Sequence, residues 1–167
     1  MTGIPEYFLH AELALACYGD FAGSVPTVAE LTKDSVGMSD AQARRFARDW
    51  RVVDQYTHSE VIEYIDEFGN PQQVETRNGL SVTLFEEAGT GKRHLAIRGT
   101  DDVGDILTDW FDIAILGSAK YQGQYQTLKL KVQEWLADPA RLQGRTFTVA
   151  GHSLGGFLAT ALTADFG

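Results

Sequence analysis

The sequence predicts an α/β fold, a mostly parallel sheet with helices on its faces, and two observations carry that expectation. The first is the stretch 145–160, Arg-Thr-Phe-Thr-Val-Ala-Gly-His-Ser-Leu-Gly-Gly-Phe-Leu-Ala-Thr, which reads as an apolar strand, a sharp turn and a helix of small residues. The second is the order of elements leading to it. A strand over Arg93–Arg98 is followed by a helix whose apolar residues Tyr121, Tyr125, Leu128, Val132, Trp135 and Leu136 recur at spacings of four, three, four, three and one. Strand, crossover helix, strand, turn and helix is a parallel arrangement, with the crossover expected to be right-handed. At 167 residues the chain is expected to form one domain over 1–167 with a substantial core.

In chain order, Tyr7–Tyr18 suits a buried or amphipathic helix ended by Gly19-Asp20. Its His10 reads as a partly exposed helix residue. Pro26 can open a short helix over Thr27–Leu31. Ser39 is an N-cap with Gln42 completing a capping box, and that helix runs to about Trp50. Arg44, Arg45 and Arg48 lie on it as a solvated face, since no neighbouring positive charge supports a nucleic-acid surface. Arg51–Tyr56 reads as a strand, and the sequence through Ile65 carries no clear pattern. Phe68–Pro71 is a turn. Leu80–Glu86 and Arg93–Arg98 are antiparallel partners around the turn Ala88–Lys92. Gly89 and Gly91 lack the full phosphate-loop spacing, so a hairpin turn is the better reading. Pro139 closes the crossover helix.

Composition narrows the partners. A net charge of −9 disfavours nucleic acid and anionic membrane surfaces, but not a neutral lipid interface. A single cysteine, Cys17, excludes an internal disulfide and reads as a small buried hydrophobe rather than a catalytic thiol. No window approaches eighteen apolar residues, so no transmembrane helix is expected. The start Met-Thr-Gly-Ile-Pro-Glu lacks the basic and apolar regions of a secretory signal. Either export does not use that route or a signal lies outside this chain.

The turn at 151–155 is Gly-His-Ser-Leu-Gly, a G-x-S-x-G pattern with Gly156 as a further small residue. A serine nucleophile must stand on a strained turn at the end of a strand, with its hydroxyl free and the next helix starting beneath it. Glycines two residues to either side let strand and helix come that close. In this reading Ser153 is the nucleophile. The backbone N–H of Leu154, at the helix start, is the first donor to a developing oxyanion. The alternative is an ordinary strand-to-helix turn with a serine cap; the apolar strand before it and the apolar helix face of Phe157, Leu158, Ala161 and Leu162 favour the nucleophile.

A second stretch, His94-Leu-Ala-Ile-Arg-Gly-Thr-Asp-Asp102, lies some fifty residues earlier, with Asp109-Trp110 downstream. Together with Gly-His-Ser-Leu-Gly-Gly it resembles the class 3 lipases, the fungal-type triacylglycerol lipases and related bacterial esterases of the α/β-hydrolase superfamily. The resemblance runs from about residue 80 to 167. It implies an α/β-hydrolase-like fold, an ester or lipid substrate, no cofactor and no metal, and it weakly favours secretion. It also implies that Thr100, after Arg98-Gly99, gives the oxyanion hole its second donor through backbone N–H and hydroxyl. Independently, Thr100 follows a glycine at the C-terminal end of a predicted strand, where open α/β sheets place their ligands. The alternative is a helix cap for residues beginning at Asp101 or Asp102. Arg98 and Asp109 are expected to pair and hold the loop. Asp101, Asp102 and Asp105 read as a solvated, helix-starting acidic loop rather than a calcium site. Trp110, Phe111, Ile113, Ile115 and Leu116 are candidates for a lid or acyl pocket, or simply for the core.

The sequence departs from the family after the serine. Such a nucleophile needs a histidine base oriented by a carboxylate, and in α/β-hydrolases both follow the serine. Fourteen residues follow Ser153 and none is histidine. The four histidines are His10, His58, His94 and His152; His152 should point away from the serine, and His94 is a weak candidate on its own strand. Asp165 is the only later carboxylate and should lie three turns along the next helix, too far to orient a base. The expectation is therefore an apparently incomplete domain. Its missing Asp and His would come from a further C-terminal segment, or less readily from a second chain. The runner-up is a catalytically inactive hydrolase-like binding domain or inert fragment.

Overall fold

The computed structural model describes residues 4–65, 68–99 and 117–166, and carries five helices and four strands among them. In order these are α1 (Ile4–Ala16), α2 (Val28–Leu31), α3 (Asp40–Asp49), β1 (Trp50–Ile65), β2 (Pro71–Glu87), β3 (Arg93–Arg98), α4 (Gly117–Leu136), β4 (Phe147–Gly151) and α5 (Leu154–Phe166).

Local chemistry starts the short helices. Thr27 caps α2 and Ser39 caps α3, each in a reciprocal capping box, with Glu30 and Gln42 reaching back to the cap. The arginines of α3 face solvent as expected, and Arg45 and Arg48 pair with Glu12 and Asp49. The turn after β2 is closed by Gly91 at a φ of 69° and by the Gly91 N–H donating to the Glu87 carbonyl at 2.8 Å. That fixes the β2–β3 register, with Leu84 opposite Leu95 and Val82 opposite Ile97.

The sheet has the order β1-β2-β3-β4. The pairs β1–β2 and β2–β3 are antiparallel and the pair β3–β4 is parallel, with Leu95 opposite Val149 and Ile97 opposite Gly151. The fold is therefore a mixed α/β sheet with flanking helices. Among the described residues parallel pairing is confined to β3–β4, because the earlier strands are joined by short turns that favour antiparallel neighbours.

Alternation along the strands builds two cores. Phe85 and Ala96 pack with Leu13, Ala16, Cys17, Leu31, Phe46 and Trp50, under α1–α3. Leu84, Leu95 and Ile97 pack on the opposite face with Leu128, Val132 and Trp135 of α4 and Leu158 and Leu162 of α5. The predicted face of α4 is thus the buried one from Leu128 onward. β1 is longer than expected because register shifts between Val52 and Asp54 and between Thr57 and Ser59 break its alternation. The first shift turns Asp54 toward α4, where it accepts from Trp135 Nε1 at 2.9 Å and Arg141 Nε at 2.6 Å. Among the described residues no helix is long and apolar enough to cross a membrane.

Candidate active site

β4 ends at Gly151 and α5 begins at Leu154, so two residues, His152 and Ser153, reverse the chain from strand to helix. Among the described residues Ser153 is the only non-glycine with a positive φ, 53°. A side chain in this left-handed conformation costs on the order of 1 kcal/mol, and such strain collects where a function needs it. The turn is held by the Gly155 N–H donating to the His152 carbonyl and the Gly156 N–H to the Ser153 carbonyl, both at 2.9 Å. Ser153 is exposed.

The glycines are required by contact. A Cβ on Gly151 would lie 2.2 Å from the Gly155 carbonyl oxygen, and one on Gly155 would lie 2.1 Å from the Ile97 carbonyl oxygen. Helix and strands meet here backbone to backbone, which only glycine permits. Gly99, just past the end of β3, is equally close: its Cβ would lie 2.7 Å from the His152 carbonyl oxygen and 3.3 Å from Ser153 Cβ. The residue predicted as second oxyanion donor, Thr100, is therefore joined to a glycine that abuts the serine turn. Thr100 itself lies outside the described residues, as do Asp101, Asp102, Asp105, Asp109 and the apolar run 110–116. Leu154 occupies the first position of α5, where a backbone N–H has no intrahelical partner and can face a negative charge.

The histidines separate clearly. His94 is buried; its Nδ1 is bonded to Thr148 Oγ1 at 2.7 Å and its ring meets Trp50 edge-on. It pairs with Thr148, five residues before Ser153, which puts it about 15 Å from the serine along the sheet. Burial favours its neutral form and lowers its pKa. His152 is exposed and its Nδ1 is 3.1 Å from the hydroxyl of Tyr18, just beyond α1. His58 Nδ1 is bonded to Tyr56 at 2.8 Å within β1. Asp165 accepts from Lys129 Nζ and Tyr125 Oη, each at 2.7 Å, so this carboxylate ties α5 to α4. Lys129 and Tyr125 hold its pKa below the usual carboxylate range. Burial pushes the Cys17 thiol up to about 12, which removes it as a nucleophile.

A cavity of about 850 Å³ opens beside the turn, lined by Ala11, Ala14, Leu15, Ala150 and Gly151, with His10, Tyr18, Ser35, Arg98 and His152 among them. Tyr18 and the cavity were not legible as parts of a site. The sequence marks Tyr18 only as the end of a helix, and its partner His152 lies 134 residues away.

The chain as a whole superposes on solved structures. A lipase from Rhizopus microsporus var. chinensis superposes with a TM-score of 0.51 at 15% identity, covering 99% of this chain and 52% of that one. A lipase from Yarrowia lipolytica gives 0.51 at 19% identity, covering 97% and 53%. The fold is a lipase-like α/β-hydrolase fold. The chain spans about half the length of these two lipases. No protein-family model matches the sequence, and no curated protein matches it. At these identities the likeness concerns the lipase-like fold alone, and the residues of the site stand on their own geometry.

Proposed function

We propose that this chain carries the nucleophile half of a serine carboxylic-ester hydrolase of the lipase type, acting on acyl esters with an apolar acyl group. The carrying observation is Ser153, an exposed serine strained at a φ of 53° between a strand end and a helix start. In this reading Ser153 Oγ attacks the acyl carbonyl while a base takes its proton. The oxyanion is received by the Leu154 N–H and by the N–H and hydroxyl of Thr100. The alcohol leaves with the proton returned by the base, and water then attacks the acyl-enzyme, releasing the acid and restoring Ser153. The apolar wall of Ala11, Ala14, Leu15 and Ala150 beside the turn supports an apolar acyl group and a lipid interface as the setting.

No histidine among the described residues is hydrogen-bonded to Ser153, His10 on the cavity wall included. His94 is too distant, and His58 and His152 are held by tyrosines. We assign base and orienting carboxylate to further polypeptide, a continuing segment or a second chain, consistent with a span of about half a fungal lipase. A second reading, an inactive hydrolase-like domain that binds lipid or a partner, draws on the same histidine arrangement. Labelling with a fluorophosphonate probe followed by peptide mapping separates the two. An adduct on Ser153 that is lost in Ser153→Ala supports the hydrolase; an unmodified serine in the full-length protein from its source, with any further polypeptide present and under conditions that label a known lipase, supports the binding domain.

A further inference from the structure

The β3–β4 ladder stops at the pair Ile97–Gly151, and beyond it the two strand ends have to be held by something other than sheet bonds. Those ends carry Gly99 and the serine turn. Tyr18 touches both sides. Its hydroxyl is 3.1 Å from His152 Nδ1, the Arg98 guanidinium lies 6.0 Å from its ring centroid, and a Cβ on Gly99 would come within 3.2 Å of its hydroxyl. Its ring also meets the His152 ring edge-on at 6.0 Å. The hydrogen bond survives either state of the imidazole, since a phenol both donates and accepts.

We infer that Tyr18 is a positioning residue that clamps the end of β3 to the serine turn, so that Ser153 and the backbone at Gly99 keep their separation. This rests on the proposed hydrolase reading. The bland alternative is a tyrosine that merely fills the core beneath α1, where its ring is partly packed. The two differ in what the hydroxyl does. Tyr18→Phe keeps the ring, its contact with Arg98 and its packing, and removes the hydroxyl that bonds His152.

The test is the second-order rate constant for fluorophosphonate modification of Ser153, measured beside the melting temperature and the imidazole 15N shift of His152. Misplacing a reacting group by a fraction of an ångström to an ångström costs about ten- to a hundredfold in rate. Tyr18→Phe is expected to slow modification about tenfold with little change in melting and a displaced His152 signal. His152→Leu should slow it equally, and the double variant should be no slower than the worse single one. His152→Asn, whose amide oxygen can sit near the position of Nδ1, should recover most of the rate. A Tyr18→Phe chain that reacts as fast as the parent overturns the clamp while leaving the hydrolase intact. A parent that does not react even as the full-length protein from its source, with any further polypeptide present, yet shows the His152 shift changing with Tyr18→Phe, overturns the hydrolase reading and the catalytic purpose of Tyr18 together.

Discussion

At one end of the β3–β4 ladder His94 is buried between Trp50 and Thr148; at the other His152 stands in solvent and bonds Tyr18. The first end is packed: β3 is buried along its whole length. The second end holds the strained turn, the glycine contacts and the cavity. The contrast shows that adjacency in sequence is a poor guide to chemistry. The histidine beside the serine is spent on a clamp, and the one on the neighbouring strand serves the core.

The largest effects should appear at the strained end. Ser153→Gly removes the hydroxyl and relieves the left-handed conformation together. Modification and any ester hydrolysis should fall about 10³-fold or more, while the melting temperature should hold or rise, an opposition expected where strain serves function. A chain that melts markedly lower would place Ser153 among structural caps. Gly155→Ala should come next in severity. Its methyl would sit 2.1 Å from the Ile97 carbonyl oxygen, and a loss of about 3 kcal/mol in urea unfolding is expected. Gly123→Ala on α4, where a Cβ meets nothing within 4 Å, should instead gain up to about 1 kcal/mol.

The buried end predicts a pH effect. His94 is held neutral by burial, with His10 and Lys92 acting in the same sense and Glu87 opposing. Its folded pKa lies below its unfolded value of about 6.5, so between those two values the unfolded chain binds more protons. The stability it contributes is present above about pH 6.5 and is lost as pH falls through the folded pKa. Urea midpoints from pH 7.5 to 5.5 should decline, and less steeply in His94→Leu; equal slopes would show that His94 does not carry the effect. Smallest of all is Asp165→Asn. It loosens an exposed, solvent-screened tie to Lys129 and should leave the rate of Ser153 modification unchanged. A large loss of rate would make Asp165 part of the chemistry.

Legibility followed the reach of the interactions. The Ser39–Gln42 box, the turn at 88–92, the strand Arg93–Arg98 and the strand-turn-helix around Ser153 depend on neighbours within a few residues, and each was readable. The length of β1 was hidden because two register shifts change which face each residue takes. The hairpin at 88–92 is legible in the sequence, but the pairing of β1 to β2 depends on a strand with no clean period. Tyr18 was invisible as part of a site because its role exists only across the fold.

That reach has a consequence in time. The β1–β2–β3 meander closes through short turns, the His94–Thr148 contact spans 54 residues, and Tyr18 meets His152 across 134. Loop-closure cost grows with span and long-range pairing is slow, so the serine turn is expected to be the last part of the molecule to assemble. Pulsed hydrogen exchange during refolding should protect the amides of β2 and β3 before those of Gly155 and Gly156. Until then the most reactive geometry in the chain does not exist, and a nascent or half-folded copy carries an ordinary serine.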